Sequence, residues 1–432
     1  MADELAEYAA QLCARLIRFD TSNFGGGSAH GERAAAEHVA ALLDDAGIKP
    51  TVWERTPNRT NVLARISGRY AELPALLVQA HLDVVPADPV GWTVPPFAGE
   101  IRDGYVWGRG ATDMKDMVAT VLTVVREWAR TGRRPVRDIL LAFVADEEDV
   151  GADGARWLVA EHADLFTGCA AAISESGGFT HHVGDVRLYP VATAERGTAH
   201  LRVTAHGRAG HASRRNDDNP VTRLIAALRR ITEHRWPVRL TPAVEAFLTQ
   251  TAAALSADPD LSDVDATLAR LGAARALAEN TVRASVTPTM LHAGYKVNVI
   301  PATAQAHLDV RTLPGIEDDV LATIDDLLGP GVTREFVAHE SPVQAPIASP
   351  WFTAMAEALR AEDPGAAVVP YCMGGGTDAK SFTTLGIDCY GFAPLWLPAG
   401  FDYRAMAHGV DERVPVEGLG FGVRVLDRFL SA

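Results

Sequence analysis

The chain has 432 residues, 47% of them hydrophobic, enough to bury a full core and to divide into two domains rather than remain disordered. Its formal charge of -15 makes a nucleic-acid backbone an unfavourable partner. Cys13, Cys169, Cys372 and Cys389 include no C-x-x-C pair, which indicates neither a disulfide framework nor a thiolate zinc site and fits a reducing cytoplasm. The start, Met1-Ala2-Asp3-Glu4-Leu5, is acidic where a signal peptide is basic, and no apolar run approaches the ~20 residues of a membrane span. A soluble, cytoplasmic protein is expected.

Residues 4–19 and 31–46 read as helices, with Ala36, Val39, Ala40 and Leu43 at helical spacing and Gly47 as a stop. Gly25-Gly26-Gly27 between them follows no strand and lacks the Lys-Ser/Thr of a phosphate loop, so it reads as a flexible loop. Strands follow at 61–66 and 74–80, the second a continuous apolar run that ends in His81-Leu82-Asp83. Thr112 is placed to cap a helix running to about Arg130. A strand at 138–145 breaks into Asp146-Glu147-Glu148-Asp149, and after a helix near 153–163 the run Ala170-Ala171-Ala172-Ile173 ends in Ser174-Glu175. This alternation predicts an α/β fold with a mostly parallel central sheet. His81, Asp83, Glu147, Glu148 and Glu175 then line one carboxyl edge, where open sheets of this class bind ligands.

From about residue 195 the pattern changes to that of a half-exposed antiparallel strand, at 199–205. Asn219-Pro220 opens a helix to about Arg235, strands follow near 283–290 and 304–311, then a helix at 316–328 and a strand at 333–339. That order, β-α-β-β-α-β, is ferredoxin-like. Residues 236–280 exceed a usual loop, and helices are expected near 243–255 and 263–278. Beyond residue 340 the first pattern returns, with a helix from Ser349-Pro350, a glycine-rich turn at Met373-Gly374-Gly375-Gly376-Thr377-Asp378, a strand at 387–392 and a helix from Val416. The expected division is a discontinuous domain of residues 1–194 and 341–432, interrupted by a second at 195–340 that carries the helical insertion.

An acidic cluster after a strand is ordinarily a solvated loop. Here several carboxylates meet an imidazole at one edge, where like charges would drive some to protonate unless a divalent metal neutralised them. Carboxylate and histidine without thiolate favours Zn2+, with Co2+ or Mn2+ as alternatives, and the set is large enough for two ions sharing a bridge. Such a pair polarises a carbonyl and activates water.

His81-Leu82-Asp83, Gly108-Arg109-Gly110 with Asp113-Met114-Lys115, Asp146-Glu147-Glu148, Glu175, Gly207-Arg208-Ala209-Gly210-His211-Ala212-Ser213 and His408, in this order across nearly the whole chain, resemble the M20 family of metallopeptidases and amidohydrolases. The resemblance implies a zinc-exopeptidase-like catalytic domain and a lid that forms a homodimer. It implies one ion on His81 and Glu175, the other on Glu148 and His408, Asp113 bridging, Asp83 fixing the His81 tautomer, and Glu147 as general base. It maps His211 to a residue that reaches a neighbouring subunit's site to stabilise the oxyanion, and Asn298, Arg311, Gly375 and Gly376 to substrate contacts. The guanidinium fork of Arg311 would demand a free carboxylate beside the scissile amide. The expected activity is exopeptidase or dipeptidase, with an N-acyl-amino-acid deacylase as alternative; a metal-binding scaffold on a retired enzyme fold, or a protein that uses the lid only for assembly, are the non-enzymatic readings.

Overall fold

The computed structural model describes residues 2–432. At its centre the strand Ala75–His81 lies between Ile139–Val144 and Cys169–Ser174, parallel to both, and Asp388–Gly391 extends the parallel set beside Cys169–Ser174. Every residue of Ala75–His81 and of Ile139–Val144 is buried, as continuous apolar runs require when helices cover both faces. Side-chain alternation divides these strands between two cores. Leu76, Val78, Leu141 and Phe143 face the helices Ala2–Ile17, Lys115–Thr131 and Val416–Ser431; Leu77, Leu140 and Ala142 face Trp157, Leu158 and Phe382 on the other side.

Antiparallel strands complete a ten-stranded mixed sheet. Thr60–Ile66 and Thr51–Glu54 close one side. On the other, Val186–Glu195 pairs with Ala366–Met373 in parallel, from Arg187 opposite Ala366 to Glu195 opposite Met373. Neither of these two strands is legible in the sequence. Each carries a proline, Pro190 and Pro370, a residue that ordinarily demotes a run from a sheet interior.

A second, four-stranded antiparallel sheet has the order Ser285–Ala293, Thr303–Thr312, Gly197–His206, Val332–Glu340. Helices Pro220–Glu233 and Glu317–Leu328 pack against it around Leu201, Val203, Leu224, Ile231, Leu308 and Ile324, and Asn219 caps the first of them through Val221 N. Residues 236–280 form Pro242–Ala254, Val264–Arg270 and Arg275–Ala278; the expected second helix breaks at Gly272, which takes φ +57°. The division at residue 195 places these helices with the small sheet, but they do not join it. Ala243, Val244, Phe247 and Leu277 pack with Val368 and Tyr371 in the core of the large sheet, because their apolar positions find an uncovered strand there. Among the described residues no helix is long and apolar enough to cross a membrane.

Candidate active site

His81 closes its strand with no exposed surface, and its ring Nδ1 lies 3.0 Å from the backbone carbonyl of Asp83. Donation of Nδ1–H to that carbonyl leaves the Nε2 lone pair free. Nε2 points at Asp113 Oδ1, 3.1 Å away, with Glu147 Oε2 at 3.9 Å and Glu175 Oε1 at 4.0 Å. The second oxygen of Asp113 is 3.2 Å from His408 Nε2, which is itself 3.1 Å from Glu148 Oε2. Two groups result, His81 with Asp113 and Glu175, and Asp113 with Glu148 and His408; within each, the candidate ligand atoms all lie within 4.8 Å of one another. Residues from five separate stretches of chain thus converge, and Asp113 belongs to both groups.

The electrostatics of this cluster suit a cation. Burial, and then the charge of Glu175, push Glu147 well above the usual carboxylate range; burial and Asp113 do the same to Glu175. Burial alone would depress His81, but its bond to Asp113 and the charges of Glu147 and Glu175 hold it well above an ordinary imidazole. Bonds to Asp113 and Glu148 raise His408 to about 10. Burial opposes ionisation of Asp113, yet its bonds to His408 and His81 hold it below its usual value. Crowded acids of this kind must either retain protons or bind metal, and a donor set of carboxylates and imidazoles without thiolate fits two zinc-like ions.

The Asp83 carboxylate does not set the His81 tautomer; it lies 3.7 Å from Nδ1. It accepts instead from the backbone N–H groups of Glu147, at 3.2 Å, and Glu148, at 3.1 Å, and from Asn23 Nδ2 at 2.9 Å. The acidic turn is therefore hung on Asp83. Asp146, at φ +68°, accepts from Arg59 Nη2 at 2.8 Å, Asn23 Nδ2 at 3.1 Å and Asp153 N at 3.1 Å. Asp149 accepts from Gly26 N at 2.9 Å, so the glycine stretch is no free loop but a small hairpin against the turn.

Arg59 holds Glu32 at 3.0 Å as well as Asp146, and no side chain of this trio is more than 5% exposed. Arg59→Met would leave two buried carboxylates facing each other without a cation. We expect it to lower unfolding stability by about 3–5 kcal/mol, read as a lower denaturant midpoint. An unchanged midpoint would show that the trio carries no such strain.

Glu412 is a residue the sequence pattern does not reveal. It is fully buried and accepts from Arg109 Nη1 at 2.7 Å, Gly110 N at 3.0 Å, and Thr112 N and Oγ1 at 2.7 and 3.1 Å. Arg109 Nη2 in turn donates to His408 O at 3.2 Å. One carboxylate thus fastens the loop that presents Asp113 to the loop that presents His408. Thr112 spends its hydroxyl here rather than on a helix cap, and the helix Lys115–Thr131 begins with no side-chain cap. Gln79, one turn of the pleat before His81, donates to the buried Asp378 at 2.8 Å and anchors the end of the glycine-rich turn.

The remaining expected residues lie elsewhere. His211 is exposed, with Ser213 N and Oγ on its Nδ1 at 3.2 and 2.9 Å. The exposed Asn298 is beside it, its carbonyl accepting from Ala212 N at 3.1 Å. Arg311 is not the free fork expected of it: Nε and Nη2 donate to Asp309 Oδ1 and Oδ2 at 2.7 and 3.0 Å, and Nη1 to Thr198 Oγ1 at 2.7 Å. Two residues apart on one strand, Arg311 and Asp309 share a face, which is what makes the pairing local. Among the described residues no hydrogen bond or ion pair joins His211, Asn298 or Arg311 to the cluster. Gly375 lines a cavity of about 360 Å³ that also touches Ser176 and Ala407, chain neighbours of Glu175 and His408; Gly376 lies against Lys380.

Comparison with known proteins agrees with this geometry. Residues 77–432 match the profile of peptidase family M20/M25/M40. The chain is 28% identical over 373 residues to aminoacylase-1 of Homo sapiens, covering 84% of this chain and 81% of that protein. It is likewise 28% identical over 372 residues to the N-fatty-acyl-amino acid synthase/hydrolase PM20D1 of Xenopus tropicalis, covering 83% and 72%. An M20 family metallo-carboxypeptidase, Sso-CP2 of Sulfolobus solfataricus, superposes with a TM-score of 0.69 at 17% identity over 98% of both chains.

Proposed function

Given that the chain belongs to peptidase family M20/M25/M40, and so is a hydrolase of the peptidase and aminoacylase type, we propose that it cleaves an amide bond beside a free carboxylate, at the cluster of His81, Asp113, Glu147, Glu148, Glu175 and His408. The observation that carries this reading is the pair of ligand groups sharing Asp113, with Glu147 beside them but outside both. His81 and Glu175 would hold one zinc ion, Glu148 and His408 the other, and Asp113 both. When bound, such ions polarise the amide carbonyl and acidify water.

Glu147 takes the proton of the attacking water and returns it to the leaving nitrogen, a task suited to a carboxyl group whose burial has raised its proton affinity. Asp83 orients Glu147 and Glu148 through their backbone N–H groups, and the carbonyl of Asp83 keeps His81 in the tautomer that offers Nε2. The four-stranded sheet serves as the lid of a homodimer, in which the exposed His211 reaches the neighbouring subunit's site to stabilise the oxyanion. Residues 1–194 and 341–432 form the catalytic domain, joined by the helices of 236–280, and the remainder of 195–340 forms the lid. The four free cysteines suit a cytoplasmic enzyme.

Exopeptidase or dipeptidase action is the first reading. N-acyl-amino-acid deacylation is the second, favoured by the names of the relatives at 28% identity, aminoacylase-1 and an N-fatty-acyl-amino acid synthase/hydrolase. A turnover panel on the zinc-loaded enzyme, comparing dipeptides with N-acyl amino acids and free carboxylates with blocked ones, decides between them. We expect free acids to be preferred, chelation to abolish turnover and added zinc to restore it. Turnover that persists after complete chelation, or no amide cleavage in any metal-loaded form, would sink the proposal.

A further inference from the structure

Arg196 directly follows the strand Val186–Glu195 and lies at the crossing from the large sheet to the small one. The chain has 55 acidic and 40 basic residues, yet this guanidinium, only 6% exposed, forms no ion pair among the described residues. Its Nη2 donates to Ser285 Oγ at 2.8 Å and Arg311 O at 3.3 Å, and its buried Nε has no partner. Asp309, the carboxylate whose charge reaches it, is already held by the fork of Arg311. Burial pushes Arg196 down only to about 10, so it remains cationic at neutral pH. A buried arginine ordinarily has an anionic partner, because the charge is otherwise uncompensated.

That partner can come from the cavity that Arg196 lines. Its lining includes Ser176 and Ala407, chain neighbours of Glu175 and His408, together with Leu277 from the 236–280 stretch and Thr281 just after it, and no acidic residue contributes to it. A second guanidinium there, Arg404, is bound among the described residues only to a carbonyl, that of Ala276 at 2.5 Å. Cationic groups without acids, next to a centre crowded with acids, attract the anionic end of a substrate and orient its amide toward the ligands.

We propose that Arg196 is the specificity-determining residue that receives the free carboxylate of the substrate, in the cavity walled by Leu277 and Thr281. The assignment rests on the amide-hydrolase reading above and moves to Arg196 the task that the resemblance gives to Arg311. The excursion at 236–280 then sets the depth of the substrate site rather than decorating the lid.

The test compares N-acetylmethionine with its carboxamide. In Arg196→Gln the KM for the acid should rise by about 10- to 100-fold, the loss of one charge-assisted contact, with kcat within about threefold and the carboxamide unaffected. Arg196→Lys should recover part of the loss. A second arm measures binding of both compounds to the chelated protein by calorimetry, with the same preference for the acid expected in wild type and absent in Arg196→Gln. If wild type binds the acid through Arg196 but cleaves neither this pair nor any dipeptide of the panel above, the amide-cleavage reading falls and the assignment stands. If cleavage occurs and Arg196→Gln discriminates acid from carboxamide as wild type does, the assignment falls alone. Should Arg196→Gln not fold, Leu277→Glu puts a negative charge in the cavity lining and should weaken the acid selectively; equal loss for both compounds overturns the proposal.

Discussion

Glu147→Gln should retain both metal ions and lose ~10²- to 10⁴-fold in kcat, the range for removal of a positioned general base. The amide keeps the shape of the carboxyl group and its place beside His81, but it can neither take a proton from water nor deliver one to nitrogen. Glu147 belongs to neither ligand group, which is why metal content should be spared. Elemental analysis beside steady-state kinetics checks both halves. A rate near that of wild type would remove Glu147 from the chemistry, and loss of metal would make it a ligand instead of a base.

Asp113→Ala should have the opposite signature. Asp113 is the residue common to both groups, each of its oxygens facing a different histidine at 3.1 and 3.2 Å. Its removal weakens both sites at once and leaves His81 and His408 without the anion between them. We expect metal affinity to fall by more than the ~10- to 100-fold that follows loss of an outer-shell partner, with activity below detection. Glu175→Ala, which touches one group, should release the ion held with His81 ahead of the other. Retention of two ions per chain by Asp113→Ala, measured after dialysis, would show that the sites are independent.

The contrast between what was and was not legible follows from how far information travels along the chain. His81, Glu147, Glu148 and Glu175 announce themselves because buried apolar strands end in charged groups, a contradiction visible within ten residues. Asp113 and His408 sit in irregular loops and are found only through resemblance to a family. Glu412, Arg59 and Arg196 have no local signal at all: what makes each notable is a partner, or the want of one, supplied by distant chain, and Glu412 meets Arg109 across 303 positions. Arg311 illustrates the converse. Its fork looked available by residue type, yet an aspartate two positions away, on the same face of the strand, occupies it. The ferredoxin-like order was readable from alternation alone, whereas the allegiance of residues 236–280 was not, since amphipathic helices do not say which sheet they will cover.

The tie made by Glu412 bears on how the molecule comes into being. Asp113 is synthesised early, but until residue 412 is made Arg109, Gly110 and Thr112 lack the carboxylate they share in the folded chain. During translation the growing chain therefore carries His81, Glu147, Glu148 and Glu175 through most of its length without a finished centre. A nascent chain halted before Glu412 would lack the carboxylate that ties the Asp113 loop to the His408 loop, however completely its central sheet had formed.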